Sequence, residues 1–417
     1  MLRRWSLFAA QHQGMVSSFY TQRFGANFAS ASAEKVIRAN GRRTFSYETF
    51  AAKIAVARTQ RDSPFTLTEK IIYGHLEDPE KANLVEGSPL NLRADVVSVQ
   101  GEAVNGLLKK VEAAGLRETA VPALLHCDRA LEADDALARR AAQHGIQLVK
   151  PSSGSTHQVL LDKHAAPGRL LVGLNTGSSS PGGLGLLVGA GESEVFELLA
   201  GRSLQTRVPK VIGVMLKGEL EGWSSPEDIG FELLEQLGSE GGSGAVLEYF
   251  GEGVEELSAT SMASVGRVGD EVGAIASVFP YNDSVRDYLY ATGRNDEGTQ
   301  ADRHIDCLTA DKGVTYEELV KIDLSQVKAR VSGGLWENGR PAVWPLQDFS
   351  SALRQHGFPD LLSGGLIGGS FEELSRAASV ARQVLKLGLK AMIPFCIVPG
   401  SAEIAKAMAG RLTREVW

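Results

Sequence analysis

Residues Leu170 to Gly191 read LLVGLNTGSSSPGGLGLLVGAG. An apolar run, Leu170 to Leu174, gives way to small polar residues and glycines before a second apolar run, Leu184 to Val188, takes over. A buried strand hands a loop to the mouth of an α/β sheet in this way, and ligands bind at such mouths. Glycine lets backbone come close to a ligand, and Ser178, Ser179 and Ser180 offer hydroxyls, so a phosphate cradle or a nucleophile turn is the first chemistry to test. The run contains neither a P-loop, a G-x-S-x-G elbow nor a G-x-G-x-x-G fingerprint, and its residues favour a glycine-rich structural turn.

Working outward, the same order of strand, loop and helix recurs. On the N-terminal side, LTEKIIYGHLEDP (Leu67 to Pro79) has helical spacing stopped by Pro79, with His75 expected on the helix surface. Helices are expected over Ala103 to Ala114 and Ala130 to Gln143, with the apolar run Ala120 to Leu125 between them ending in His126, Cys127, Asp128 and Arg129. On the C-terminal side, a helix is expected at Glu194 to Ala200, an extended run at Arg207 to Leu216, and a helix from Ser225 to about Leu237. A strand at Ala245 to Phe250, a periodic stretch at Met262 to Ala276, and a polar linker around one helix at Asp283 to Asp311 follow. The last unit combines GLIGG, an amphipathic helix and a strand, Met392 to Val398. The pattern predicts an α/β fold with mainly parallel sheets and sites at the carboxyl ends of strands. Its expected divisions are 1–33, a leader or arm; 34–205, a first α/β domain; 206–320, a second; and 321–417, a third.

Composition narrows the class. The 417 residues suffice for two or three domains, with 43% hydrophobic and 22% charged residues, and the 46 glycines imply many tight turns. No apolar run is long enough to span a membrane, and a net charge of −7 gives no basic surface for nucleic acid. Cys127, Cys307 and Cys396 are far apart and form no C-x-x-C pair, so a disulfide framework is not expected and buried thiols are favoured over a three-thiolate metal site. Residues 1–33 carry Arg3, Arg4 and Arg23 and no Asp or Glu, the composition of a mitochondrial transit segment.

Several runs, LTEKIIYGHLEDP, His126-Cys127-Asp128, PKVIGVMLKGELEGWSSPED (Pro209 to Asp228), SVFPYN (Ser277 to Asn282) and GLIG (Gly365 to Gly368), resemble the aconitase family, which includes the isopropylmalate isomerase large subunit. The resemblance is collinear from Leu67 to Ser401. It implies aconitase-like α/β/α domains around a cleft, with the third domain truncated and the swivelling fourth domain absent. It also implies hydro-lyase chemistry on a hydroxy acid such as citrate, on a [4Fe-4S] cluster held by three thiolates, with His and carboxylate pairs and arginines around the substrate.

Measured against that resemblance the chain departs at many points. The first cluster cysteine of the family falls where this chain reads Gly368, Gly369, Ser370, Phe371, Glu372, and the family's other two lie past the chain's end. The family's H-C-D-H becomes His126, Cys127, Asp128, Arg129, and its D-S-H becomes Asn175, Thr176, Gly177. Asn105 stands for a substrate-contacting glutamine and Arg267 for an asparagine near the cluster, while Asp128, His157 and Glu271 persist as remnants. The expectation is a catalytically inactive, non-enzymatic aconitase-like protein without cofactor or metal, its ancestral cluster lost. Such a protein would serve as an accessory subunit of a large mitochondrial assembly (respiratory chain, ATP synthase or ribosome) on the matrix side, with no membrane span and no direct nucleic-acid contact. The alternatives are an iron-sulfur hydro-lyase acting on a di- or tricarboxylic acid, and a cluster-free carboxylate binder using Asp128, Arg129, His157 and Arg267.

Overall fold

The computed structural model describes residues 45–127, 135–175, 180–337, 340–357 and 363–409. The chain opens with two helices, Tyr47–Gln60 (α1) and Leu67–Gly74 (α2). Thr66 and Glu69 form a capping box at the start of α2, each side chain accepting from the other's backbone N–H. The helix stops at Gly74, short of Pro79, and His75 is a core residue rather than the surface residue expected. Its Nδ1 meets the Ile71 carbonyl and its Nε2 lies 2.7 Å from the Asp95 carboxylate, which also accepts from Leu170 N. A buried imidazole needs partners on both nitrogens, and here they tie α2 to the entry of the strand that starts at Leu170.

Pro89–Leu92 (β1) pairs antiparallel with a later strand; Val96–Gln100 (β2), Ala103–Ala113 (α3), Ala123–His126 (β3), Asp135–Gln143 (α4), Gln147–Val149 (β4), Thr156–Lys163 (α5), Leu170–Leu174 (β5), Leu186–Gly189 (β6) and Glu192–Leu199 (α6) then alternate. Strands β2 to β6 form one all-parallel sheet in the order β4-β3-β2-β5-β6. Every residue of β3 and of β5 is buried, as expected for parallel strands covered on both faces. The order reverses at β2, whose neighbours are β3 on one side and β5 on the other. The carboxyl ends of β2, β3 and β5 therefore surround one crevice, with the loop that follows Leu174 on its rim.

Leu204–Arg207 (β7) is the partner of β1. The second sheet is also parallel, order β10-β9-β8-β11, from Lys210–Lys217 (β8), Ala245–Phe250 (β9), Ala276–Val278 (β10) and Glu318–Asp323 (β11). Its helices are Pro226–Leu237 (α7), Ala259–Arg267 (α8), Asp283–Ala291 (α9) and Asn295–Arg303 (α10), so the stretch expected to hold one helix holds two. The edge strands β6 and β10 abut, and a single apolar core runs through both sheets. Glu248, buried in the middle of β9, accepts from Leu67 N, Thr68 N, Thr68 Oγ1 and Tyr316 Oη, capping α2 from the other sheet.

The remainder is lighter. Arg330–Glu337 (β12) and Arg340–Pro345 (β13) form a bulged hairpin, and a short helix, Phe349–Gln355 (α11), follows. Gly365–Gly369 (β14), Phe371–Lys386 (α12), Phe395–Pro399 (β15) and Ala402–Ala409 (α13) make a two-stranded parallel unit with its own small core of Leu374, Ala378, Ile404 and Met408. Polar contacts seat it on the other two layers. Ser155 N donates to the Gly400 carbonyl, Ser401 Oγ to Asp162, and Arg376 to the Ser224 carbonyl. The Glu372 carboxylate accepts from Ser258, Thr260 and Ser261 at the start of α8. The expected α/β architecture with mainly parallel sheets, and its aconitase-like layering, is what the structure shows. No described helix is long and apolar enough to cross a membrane.

Candidate active site

The glycines of the opening stretch turn out to be packing residues. Gly182 and Gly185 have φ of +55° and +111°, and a Cβ on either would meet backbone, 2.8 Å from Ala263 N and 2.5 Å from the Arg169 carbonyl. The turn is pressed against α8 and against the segment that leads into β5, which fixes how α8 presents its last residue, Arg267. Asn175, at the end of β5, is exposed with φ of +56°, a left-handed conformation that asparagine tolerates. Thr176, Gly177, Asp128 and Arg129 lie outside the described residues.

Four of the sequence-selected positions can be placed besides Asn175. Asn105 is half-buried on α3 beyond the carboxyl end of β2. His157 is the second residue of α5, where Ser155 caps the helix by accepting from Gln158 N. Arg267 ends α8, and Glu271 lies in the 3-10 turn Val268–Val272 that follows it. The electrostatics connect the last three. Burial lowers the His157 pKa to about 4, and the field of the Arg267 guanidinium adds to the effect, so the imidazole is neutral at physiological pH. Burial raises the Glu271 carboxyl above the ordinary glutamate range, with Arg267 opposing.

A further carboxylate, Glu227 in the first turn of α7, lies 3.6 Å from Arg267. Burial raises its pKa too, against the pull of Arg267, and Glu373 of α12 adds to the rise. Sequence reading missed both glutamates. Their signal was present only as helix starts: Ser225-Pro226-Glu227-Asp228 is a capping box with proline at the first turn, and Ser370 with Glu373 forms another. Nothing in those motifs says that the start of α7 lies against Arg267, or that Glu373 accepts from Ser264, one turn before that arginine on α8.

The grouping sets a guanidinium among a neutral imidazole and two carboxyls of raised pKa, all within its field. A three-thiolate cluster does not fit the cysteines. Cys127 is buried at the end of β3, Cys307 lies partly covered in the 3-10 turn Ile305–Cys307, and Cys396 is exposed on β15. Among the described residues, no group of three or more His, Cys, Asp or Glu side chains could hold a metal ion.

The model of the Aconitase family (aconitate hydratase) matches residues 111–354, more than half of the chain. The chain belongs to the aconitase family. It is 36% identical over 389 residues to a probable mitochondrial aconitate hydratase of Caenorhabditis elegans, covering 86% of this chain and 49% of that protein. Mitochondrial aconitate hydratases of Dictyostelium discoideum (a probable one) and Saccharomyces cerevisiae are 37% and 35% identical over 381 and 386 residues, with 86% of this chain and 49% of theirs covered in each case. This aconitase-family chain thus spans about half the length of the curated relatives it matches. The expectation of a catalytically inactive, non-enzymatic accessory subunit is overturned by these relatives, which are named as enzymes. That expectation rested on departures at particular positions, whereas the match to these relatives extends over 86% of the chain.

Proposed function

We propose that the chain is part of a hydro-lyase of the aconitate hydratase type, acting on a di- or tricarboxylic acid in the mitochondrion, on the matrix side. The observation that carries this reading is Arg267, set among His157, Glu271 and Glu227 at the meeting of the two sheets in a family whose members are named for that reaction. Arg267 pairs with a substrate carboxylate, for which a guanidinium offers two parallel donors, and displaces Glu227 from a long ion pair in doing so. Glu271, its carboxyl raised above the ordinary glutamate range by partial burial against the pull of Arg267, is the group we assign to proton exchange with the substrate. His157, neutral beside the arginine, bonds the substrate without adding a second positive charge. We propose further that the cysteines of this chain, far apart on β3, the Ile305–Cys307 turn and β15, hold no [4Fe-4S] cluster.

The test is turnover by native protein purified from mitochondria. Formation of the unsaturated acid from citrate is followed by ultraviolet absorbance, alongside iron and sulfide analysis of the same sample. Arg267→Ala is expected to raise KM for citrate more than it lowers kcat, and Glu271→Gln to lower kcat with little change in KM. Failure to turn over citrate, isocitrate or shorter hydroxy diacids, together with no thermal stabilisation by millimolar citrate, refutes the reading.

A further inference from the structure

The small unit of β14, α12, β15 and α13 is seated on the rest of the protein through Glu372 and Arg376 near the start of α12 and through Gly400 and Ser401 after β15. The far end of α12, a 16-residue helix, is about 24 Å from its start at 1.5 Å per residue. There the chain reads Leu385, Lys386, Leu387, Gly388, Leu389, Lys390, Ala391, Met392, and every one of these residues is exposed. Met392 is 96% exposed. With Phe395 at the start of β15, the run holds five of the thirteen large apolar side chains exposed among the described residues. Exposed apolar groups gathered in that way mark an interaction surface, whereas single ones do not.

The charge around this tip has one sign. No Asp or Glu occurs from Leu374 to Ala402, although the whole chain carries −7. Arg382 and Lys386 stand one turn apart on α12, and Lys390 follows four residues on. All three are exposed, and none has an acidic partner among the described residues. The backbone of the tip is satisfied from within. Gly388, with φ of +73°, ends the helix in a Schellman turn, in which Gly388 N donates to the Leu385 carbonyl and Leu389 N to that of Val384. Gly365 N donates in turn to the Pro394 carbonyl. A segment whose backbone groups are paired internally can approach an apolar medium at low cost.

Those features favour lipid over a protein partner. A run without a buried residue forms no groove, and protruding leucines and a methionine enter a bilayer interface without a matching pocket, while lysine stems lie alongside with their ammonium groups at the headgroups. We infer that residues 385–395 form a docking tip for the surface of an anionic phospholipid bilayer, with Arg382, Lys386 and Lys390 meeting the lipid phosphates. Apolar contact and positive charge act together here, and an anchor of one kind alone binds only marginally.

The test mixes the full chain with phosphatidylcholine vesicles carrying about 30% phosphatidylglycerol, or none, at about 0.1 M salt, and measures co-sedimentation. Binding to the neutral vesicles is expected to be about a hundredfold weaker, since each cation near an anionic surface contributes about fivefold. Lys386→Gln and Lys390→Gln should therefore each weaken anionic binding about fivefold. Leu387→Ser and Met392→Ser should each weaken it about tenfold through lost apolar burial, and leave the urea midpoint unchanged because both side chains are exposed. The inference is overturned by no sedimentation with anionic vesicles, by equal sedimentation with neutral ones, or by binding that the two serine variants leave intact. Light scattering that finds the wild-type chain dimeric and Met392→Ser monomeric also overturns it, because the tip then belongs to a second copy. None of these readouts involves turnover of a carboxylic acid, so the tip and the proposed hydro-lyase activity stand or fall separately.

Discussion

Replacing Glu248 by Gln should cost this protein several kcal/mol, although the two side chains have the same shape. Glu248 sits 1% exposed in β9, and its two oxygens receive four hydrogen bonds: Leu67 N at 2.9 Å and Tyr316 Oη at 2.8 Å on Oε1, Thr68 N and Thr68 Oγ1 at 2.7 Å each on Oε2. A glutamine keeps one oxygen and turns an NH₂ group toward the donors of the other. At least one buried backbone N–H of α2 then loses its acceptor, at about 1–3 kcal/mol, and a charge-assisted bond of about 1.5–3 kcal/mol is lost with it. Together these give about 2.5–6 kcal/mol, a large fraction of the 5–15 kcal/mol of a typical domain. Urea unfolding of wild type, Glu248→Gln and Tyr316→Phe measures it. Tyr316→Phe removes one donor and leaves the carboxylate three, so a loss of about 1 kcal/mol is expected there. If Glu248→Gln falls within about 1 kcal/mol of wild type at an unchanged m-value, the idea that this carboxylate ties α2 to the second sheet is wrong.

Two further outcomes are expected. Burial depresses His157 to about 4 and His164 to about 3, whereas in the unfolded chain both imidazoles take up protons near pH 6.5. The unfolded state therefore binds more protons below pH 6.5, and stability present at pH 7 is lost as the pH falls toward 4 and then 3, on the order of a few kcal/mol in total. Urea midpoints at pH 7.5, 6 and 5 follow the loss, and a flat profile excludes buried neutral histidines. Separately, Glu372→Ala strips Ser258, Thr260 and Ser261 of their shared acceptor. Amide exchange at the start of α8 and in α12 should quicken about tenfold or more while β5 and β9 are unaffected, since the small core around Leu374 and Ile404 is separate from the main one. Equal protection in both proteins would show that apolar packing alone seats that unit.

The alternation of strand and helix, and with it the parallel α/β class, was legible in the residues because burial on both faces imposes continuous apolar runs such as Leu170 to Leu174 and Ala245 to Phe250. The helix start at Ser225 was equally legible, since the atoms that satisfy a helix end lie within four residues of it. Family membership too rested on collinear runs that need no coordinates. Local residues could not show that Glu248, a charge inside a strand, caps a helix some 180 positions away, or that His75 belongs to the core through Asp95. Nor could they place Glu227 against Arg267, or show that the glycines at 182 and 185 serve the approach of two backbones rather than a ligand. Each of those facts depends on which elements the two sheets bring side by side. Sequence determined the periodicity and the ends of the elements, which local hydrogen bonding and burial enforce. The partners of each buried charge were decided only by tertiary packing, because a charge in an apolar interior is satisfied by whatever donor the fold puts within reach.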